Sequence, residues 1–291
     1  MALISTTDFF TPIVNDPYLF GRVAAANAIS DVYAMGGKPL LAIAILGWPV
    51  EKLSATIAQQ VIEGGRTICA EAGIPLAGGH SIDSPEPIFG LAVSGIVPIA
   101  QLKRNNTAQQ GDLLLLTKPL GVGILSTAEK RGVLQEADRI TLHEQITQLN
   151  SIGEKLGKIK GVNAMTDVTG FGLMGHLLEM ASGSGCSASI DYANVPLIEG
   201  LQSYISQRIS PDATPRNWNA YSSKIKFEKG VNVMEAFTVL PDPQTNGGLL
   251  ISCAPSALKD VQQLLNENGL APFSSPIGKM ITKSEFGVYI N

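Results

Sequence analysis

An aspartate and a glycine pattern lie side by side in the segment NAMTDVTGFGLMGH, residues Asn163–His176. Gly170–Gly175 fits the GxGxxG spacing of turns that bind dinucleotides, and Asp191 follows about twenty residues later, where a ribose ligand is expected. Asp167 argues against that interpretation, because a carboxylate and a pyrophosphate repel each other unless a cation separates them. We therefore interpret the glycines first as packing positions and Asp167, at the end of a predicted strand, as a ligand of a hard cation.

Two other regions offer carboxylates that could join Asp167. Asp8 ends the first apolar strand, and Asn27 and Asp31 are four residues apart in an alanine-rich predicted helix, so they share one helix face. Taken alone, each has an ordinary explanation as a cap, a turn residue or part of a solvated face. Together, three aspartates in weakly charged, glycine-rich surroundings predict Mg²⁺ bound with phosphate groups.

The segment AGGHSIDSPEP, Ala77–Pro87, is predicted as a loop after a short strand. Its glycines expose backbone N–H groups that could surround a phosphate. His80 alone is more often structural than catalytic. The chain contains no nucleophile elbow, no Walker A sequence and no cysteine in an activating context, so the residues themselves predict no nucleophilic catalysis.

Composition limits the class of protein. The chain has 291 residues, of which 45% are hydrophobic and 16% charged, and this length and composition predict two globular domains. The net charge of -4 provides no basic surface, which argues against nucleic acid as a partner. Three scattered cysteines suit a reducing cytosol, and the longest apolar run, Pro39–Trp48, is too short to cross a membrane. With no signal peptide at its start, the chain is predicted to be cytoplasmic and to have no membrane partner.

Helices and strands alternate in the predicted order, which favours an α/β (α+β) protein with two domains, 1–107 and 108–291. The polar segment Lys103–Asp112 is the predicted linker between them. Helices are predicted at Phe20–Met35, at Ser54–Ala72, near Asp138–Leu156, near Phe171–Ala181 and at Pro255–Asn268.

Four segments together resemble the selenophosphate synthetase (selenide, water dikinase) family. They are TTDFFTPIVNDPYLFGRVAAANAISDVYAMGGKPLLAIAILGWP, GGHSIDSPEPIFGLAVSGIVP, AMTDVTGFGLMGH and DPQTNGGLL. The resemblance covers nearly the whole chain, and its first block is the most specific. Aminoimidazole ribonucleotide synthetase and thiamine-monophosphate kinase share the fold and keep shorter pieces of these motifs.

The resemblance implies a homodimer of two-domain subunits whose amino-terminal domains pair. It also implies a reaction of ATP, selenide and water that yields selenophosphate, AMP and phosphate. By position, Asp8, Asp31 and Asp167 match family aspartates that bind Mg²⁺ and the ATP phosphates. The implied ATP-binding positions are Gly79, His80 and Ser81, which reach ATP from the other subunit, together with Thr6 and Asn27.

Departures from the family pattern concern the start of the chain and one carboxy-terminal motif. Family members carry, ahead of STTDFF, a glycine-rich segment with a catalytic cysteine or selenocysteine, a lysine and a further metal-binding aspartate. This chain has none of these, so it is expected to fold and bind nucleotide but not to make selenophosphate. Asn246 stands where a serine is expected, and Pro241 where a cysteine is frequent. The alternatives are another ATP-dependent synthetase or kinase of the same fold, or a non-catalytic, dimeric nucleotide-binding module.

Overall fold

The computed structural model describes all 291 residues. The amino-terminal third forms a four-stranded sheet whose spatial order is first, fourth, second and third strand. The third strand runs parallel to the second, and the other neighbours are antiparallel. The strands are β1 (Ala2–Phe10), β2 (Lys38–Trp48), β3 (Leu76–Asp83) and β4 (Ile88–Val97).

Two helices, α1 (Pro17–Ala34) and α2 (Ala55–Glu71), cover one face of this sheet. The carboxylate of Asp16 accepts a hydrogen bond of 2.6 Å from the backbone N–H of Leu19 and so caps α1, and Pro17 supplies a first residue with a suitable φ. Of the 18 residues of α1, 13 are buried. A helix buried on nearly every side lies between layers rather than at the surface.

The opposite face of the four-stranded sheet is uncovered. Side chains alternate across a strand, so the apolar residues that point away from the helices remain exposed. They are Leu3 (75% exposed), Phe9 (53%), Leu40 (40%), Ile43 (46%) and Ile82 (61%).

The carboxy-terminal two thirds form a seven-stranded sheet with helices around it. Its strands are β5 (Leu113–Leu116), β6 (Val162–Asp167), β7 (Ser187–Ile190), β8 (Ile225–Phe227), β9 (Leu249–Cys253), β10 (Gly278–Ile281) and β11 (Val288–Ile290). Their spatial order is β6-β9-β5-β10-β7-β11-β8. The helices are α3 (Val122–Lys130), α4 (Glu136–Thr147), α5 (Ile152–Gly157), α6 (Gly172–Gly183), α7 (Leu201–Ser206), α8 (Ala213–Tyr221), α9 (Val233–Val239) and α10 (Leu258–Glu267). None of the ten helices combines the length and apolar content that a membrane-spanning segment needs.

Three sequence-based expectations need correction or refinement. The predicted loop after Leu76 is wrong up to Asp83, because Gly79–Asp83 pairs in register with Ala44–Trp48 and extends strand β3. The helical stretch expected near Asp138–Leu156 is interrupted at residues 148–151. The predicted linker is fixed rather than free, since the Lys103 ammonium donates hydrogen bonds to the backbone oxygens of Ile159 and Val162 at 3.2 and 2.7 Å. The domain boundary at 107/108 stays a prediction.

Helix α1 also packs against the carboxy-terminal half, where it contacts α4, α5 and β6. The approach is close enough to require glycine. A Cβ atom on Gly153 would lie 2.2 Å from the backbone oxygen of Tyr33, and one on Gly157 would lie 2.8 Å from that of Gly36. Backbone therefore meets backbone between α1 and α5, and α1 belongs to the cores of both halves.

Candidate active site

The structure brings together five of the eight residues predicted for the site. Thr6 and Asp8 are two apart on β1 and so share a face. Asn27 and Asp31 share a face of α1, and Asp167 ends β6. Because α1 lies between the two sheets, it brings the acids of both halves to one place.

Each of the three carboxylates is held by a neighbouring side chain through a single oxygen. Thr6 donates a hydrogen bond to Oδ2 of Asp31, and the Asn27 amide donates one of 2.9 Å to Oδ2 of Asp8. Asp167 accepts a hydrogen bond of 2.6 Å from the hydroxyl of Ser30, again at Oδ2. The second oxygen of each aspartate accepts no side-chain hydrogen bond.

Burial and mutual repulsion raise the pKa values of these acids. Burial raises the pKa of Asp8 to about 6, the charge of Asp31 adds to the shift, and the hydrogen bond from Asn27 opposes it. For Asp167, burial raises the pKa to about 7, and repulsion from Asp31 is the next cause. Burial also raises the pKa of Asp31. With a pKa of about 7, Asp167 is about half protonated at neutral pH in the absence of a cation, and a divalent cation would displace that proton.

The residues fit Mg²⁺ as a shared rather than an enclosed ion. No three aspartate, glutamate, histidine or cysteine side chains converge closely enough to surround a metal by themselves. Mg²⁺ does not require such a cage, because it usually keeps several waters and is held by one or two carboxylates plus substrate phosphates. Buried carboxylates with one oxygen fixed and one free match that demand.

A cavity of about 460 Å³ lies beside the acids. Thr6, Asp31 and Asp167 form part of its wall, and Arg104 and Asn105 form another part. The guanidinium of Arg104 makes no ion pair within the chain, so this cavity combines carboxylates with an unpaired cation.

Gly79, His80 and Ser81 lie elsewhere in the subunit, on the exposed edge strand β3. Strands β4 and β2 lie between β1 and β3 in the sheet, so β1 and β3 are about 14 Å apart at the usual strand spacing. The three residues line a separate cavity of about 390 Å³ between β3 and α2. One subunit alone does not bring this segment to the carboxylates.

Two family models match the chain. The AIR synthase related protein, N-terminal domain, matches residues 1–97, and the AIR synthase related protein, C-terminal domain, matches residues 109–291. The matches correspond to the sequences of the four-stranded and the seven-stranded sheets.

Curated relatives narrow the family. The selenide, water dikinase of Aeromonas salmonicida is 52% identical over 96% of this chain and 79% of its own length. The Pseudomonas putida enzyme of that name is 53% identical over 99% and 82%, and the Colwellia psychrerythraea enzyme 54% over 96% and 79%. This chain belongs to the selenide, water dikinase family. Its membership confirms the resemblance that the four sequence motifs carry.

Solved structures place the dikinase family member in a wider fold group. Thiamine-monophosphate kinase from Stenotrophomonas maltophilia superimposes with a TM-score of 0.77 at 19% identity, over 100% of this chain and 85% of the kinase. Hydrogenase maturation protein HypE in complex with ATP gives 0.79 at 18% identity, over 98% and 78%. These likenesses confirm the expected two-domain α/β fold and, at such low identity, nothing beyond the fold.

The dikinase motif that contains Asp167 also shows what its glycines do. Gly172 has φ +68, and a Cβ atom there would lie 2.6 Å from the backbone oxygen of Leu240. His176, whose pKa burial lowers to about 4, accepts a hydrogen bond of 3.0 Å at Nε2 from the backbone N–H of Thr169. Packing therefore accounts for Gly172, and His176 fixes the turn after Asp167, whereas a Cβ atom on Gly170 would meet nothing within 4 Å.

Sequence reasoning missed four residues that support the acids: Ser30, Lys118, Asn150 and Asn246. Lys118 lies two residues after the apolar strand β5, and burial lowers the pKa of its ammonium to about 7, although the charge of Asp167 opposes the shift. A lysine at the end of a strand of four leucines is a signal that could have identified a buried cation. Asn246 departs from the family pattern, but its partners cannot be read from the sequence.

Proposed function

We propose that this chain forms selenophosphate from ATP, selenide and water, with release of AMP and phosphate. The observation that carries the proposal is the convergence of Asp8, Asp31 and Asp167 from β1, α1 and β6, each with one oxygen fixed and one oxygen free of side-chain donors. Relatives more than 50% identical carry the name of this activity. The proposal assigns one phosphoryl group of ATP to selenide and a second to water.

The three aspartates would hold Mg²⁺, which supplies positive charge against the negative charge of the phosphoryl oxygens. Phosphoryl transfer depends mainly on positioning and on charge stabilisation. Thr6, Asn27 and Ser30 support it by fixing the direction of each carboxylate. Arg104, unpaired in the cavity wall, supplies a second positive group for a phosphate.

The proposed ATP site is completed by a second copy of the chain. Gly79, His80 and Ser81 lie too far from the acids of their own subunit, on a strand whose residues after Leu76 are all exposed. The uncovered apolar face of the same sheet, which includes Leu40 and Ile43, supports pairing of two amino-terminal sheets. In such a homodimer, the edge strand of one subunit reaches the ATP held by the other.

Calorimetry with a non-hydrolysable ATP analogue, with and without Mg²⁺, tests the site. The expected result is binding that requires Mg²⁺ and is lost in Asp31→Asn. Release of AMP from ATP, measured with and without selenide, tests the reaction. Run on Met1–Asn291, the same assay decides between this proposal and the sequence-based expectation that the chain makes no selenophosphate. Binding that is equally strong in Mg²⁺ and in EDTA would contradict the roles given to the three aspartates.

A further inference from the structure

Two buried asparagines of the carboxy-terminal half each connect to an acid of the site through one side chain of α1. They are Asn150, 2% exposed, and Asn246, fully buried. These two residues form the asparagine pair. Asn150 lies in the break between α4 and α5, and Asn246 lies in the turn that leads into β9.

The first connection runs from Asn246 to Asp8. The backbone N–H of Asn246 donates a hydrogen bond of 2.8 Å to Oδ1 of Asn27. An amide whose oxygen is occupied in this way must direct its nitrogen to the other side, and Nδ2 of Asn27 donates to Asp8 at 2.9 Å. The position of Asn246 therefore decides which way the Asn27 amide faces the carboxylate.

The second connection runs from Asn150 to Asp167. Nδ2 of Asn150 donates a hydrogen bond of 2.8 Å to the Ser30 hydroxyl oxygen. A hydroxyl has one proton, and with its oxygen already accepting, Ser30 directs that proton to Asp167 at 2.6 Å. Asn150 thus fixes the rotation of the one side-chain hydroxyl that donates to the Asp167 carboxylate.

The asparagine pair is itself anchored on backbone. Nδ2 of Asn246 donates to the backbone oxygens of Ile146 and Gln148, at 2.9 Å each, and Nδ2 of Asn150 also donates to that of Gly247 at 2.8 Å. The Lys118 ammonium joins the two segments by donating to the backbone oxygens of Gln148 and Asn246, at 2.7 and 2.8 Å. Asn246 adopts φ +49, a left-handed conformation that asparagine tolerates better than most residues.

We infer that the asparagine pair consists of positioning residues for Mg²⁺-dependent nucleotide binding, acting through Asn27 on Asp8 and through Ser30 on Asp167. The inference rests on the proposed function, because it assumes that the two carboxylates hold the cation. It assigns the pair no contact with substrate. Asp8 and Asp167 each keep one oxygen free for the cation only while their α1 donors stay in place. The asparagine pair holds those donors through its own hydrogen bonds.

Three matched asparagine-to-serine variants test the inference. Asn150→Ser removes the side-chain amide that donates to Ser30, and Asn246→Ser removes the side-chain amide that anchors the backbone N–H donating to Asn27. Asn163→Ser is the control, since its amide donates to Asp112 at 2.8 and 3.0 Å, at the start of β6 and away from the acids. We expect the first two to raise the Kd for an ATP analogue with Mg²⁺ at least tenfold, and the control to change it less than twofold. In EDTA all four proteins should bind the analogue with similar, weak affinity.

A double variant separates positioning from general loosening. In an Asn27→Ala background, Asn246→Ser should cause no further loss of Mg²⁺-dependent affinity, because its route to Asp8 is already cut. Equal losses in Mg²⁺ and in EDTA, additive losses in the double variant, or affinities equal to the control would overturn the inference. If Asn246→Ser fails to fold, Asn150→Ser decides the matter through the second connection. Absence of Mg²⁺-dependent binding in the unaltered chain would instead overturn the proposed function, and the inference with it.

Discussion

The carboxylate cluster (Asp8, Asp31 and Asp167) and the edge strand (Gly79–Ser81) are two parts of the same proposed site with opposite construction. In the cluster, each acid is at least half-buried and is fixed by a hydrogen bond from a neighbouring element. In the edge strand the side chains are exposed and make no hydrogen bond. The cluster is therefore assembled within a single chain, whereas the edge strand reaches the acids only in the proposed dimer.

The largest effect should come from the cluster. Asp167→Asn preserves the size of the side chain and removes the charge, so the cation loses a desolvated ligand. We expect the Kd for the Mg²⁺-bound ATP analogue to rise roughly 100-fold, which corresponds to about 3 kcal/mol. Calorimetry measures this, with Asp191→Asn, an exposed acid after β7, as the control. An unchanged Kd for Asp167→Asn would mean that the cluster is not where the cation binds.

Protonation of His176, which fixes the turn after Asp167, should make the folded chain less stable in acid. The pKa of His176 is lowered to about 4 in the folded chain, from the ordinary 6.5, because burial disfavours its charged form. The unfolded chain therefore binds more protons between these values, so this group's contribution to stability is present above pH 6.5 and is lost as the pH falls toward 4. His176→Gln keeps an acceptor for the Thr169 N–H and removes the titration.

Between pH 6.5 and 5, the unfolding free energy of the original chain should fall about 2 kcal/mol more than that of His176→Gln. Urea unfolding at both pH values measures the difference. The comparison between the two proteins cancels the opposite contribution of Asp8 and Asp167, whose raised pKa values favour the folded chain in acid. Parallel pH profiles would show that His176 does not titrate as its burial implies.

An intermediate effect should come from the edge strand, and only in a dimer. His80→Ala should weaken binding of the Mg²⁺-bound analogue about tenfold, or about 1.4 kcal/mol. Ile43→Glu places a charge on the uncovered apolar face and should yield monomers by sedimentation, whereas Val50→Glu, outside the sheet, should not. In the Ile43→Glu background, His80→Ala should have no effect. A monomeric original chain, or a His80 effect that persists in monomers, would refute the cross-subunit role.

The smallest effect should be that of the edge strand on stability. The side chain of His80 is exposed and makes no hydrogen bond, so His80→Ala should change the unfolding free energy by less than about 0.5 kcal/mol. Asn246→Ser, which removes two buried hydrogen bonds, should lower it by about 1–3 kcal/mol. Thermal and urea unfolding compare the two. Similar losses of unfolding free energy in the two variants would remove the distinction between the carboxylate cluster and the edge strand.

Local spacing explains what the sequence could predict. Asn27 and Asp31 share a helix face because they are four residues apart, and Asp167 precedes a glycine turn, so these candidates follow from periods and strand ends. The partners cannot be found in this way. Asn27 meets Asn246, and Ser30 meets Asp167, across 219 and 137 residues of chain. The edge strand escapes prediction because its glycines suggest a turn, whereas pairing with β2 overrides that local preference.

The close packing of α1 has a mechanical consequence. Helix α1 holds Asn27, Ser30 and Asp31 and at the same time meets α5 backbone to backbone at Gly153. Rotation of one half against the other would separate these surfaces and would move the acids of the two halves apart, so α1 leaves no hinge between them. We expect nucleotide to enter while the halves stay fixed, and the radius of gyration from X-ray scattering to be unchanged on saturation with the Mg²⁺-bound analogue. A smaller radius of gyration on binding would show that the two halves close about a hinge, contrary to this expectation.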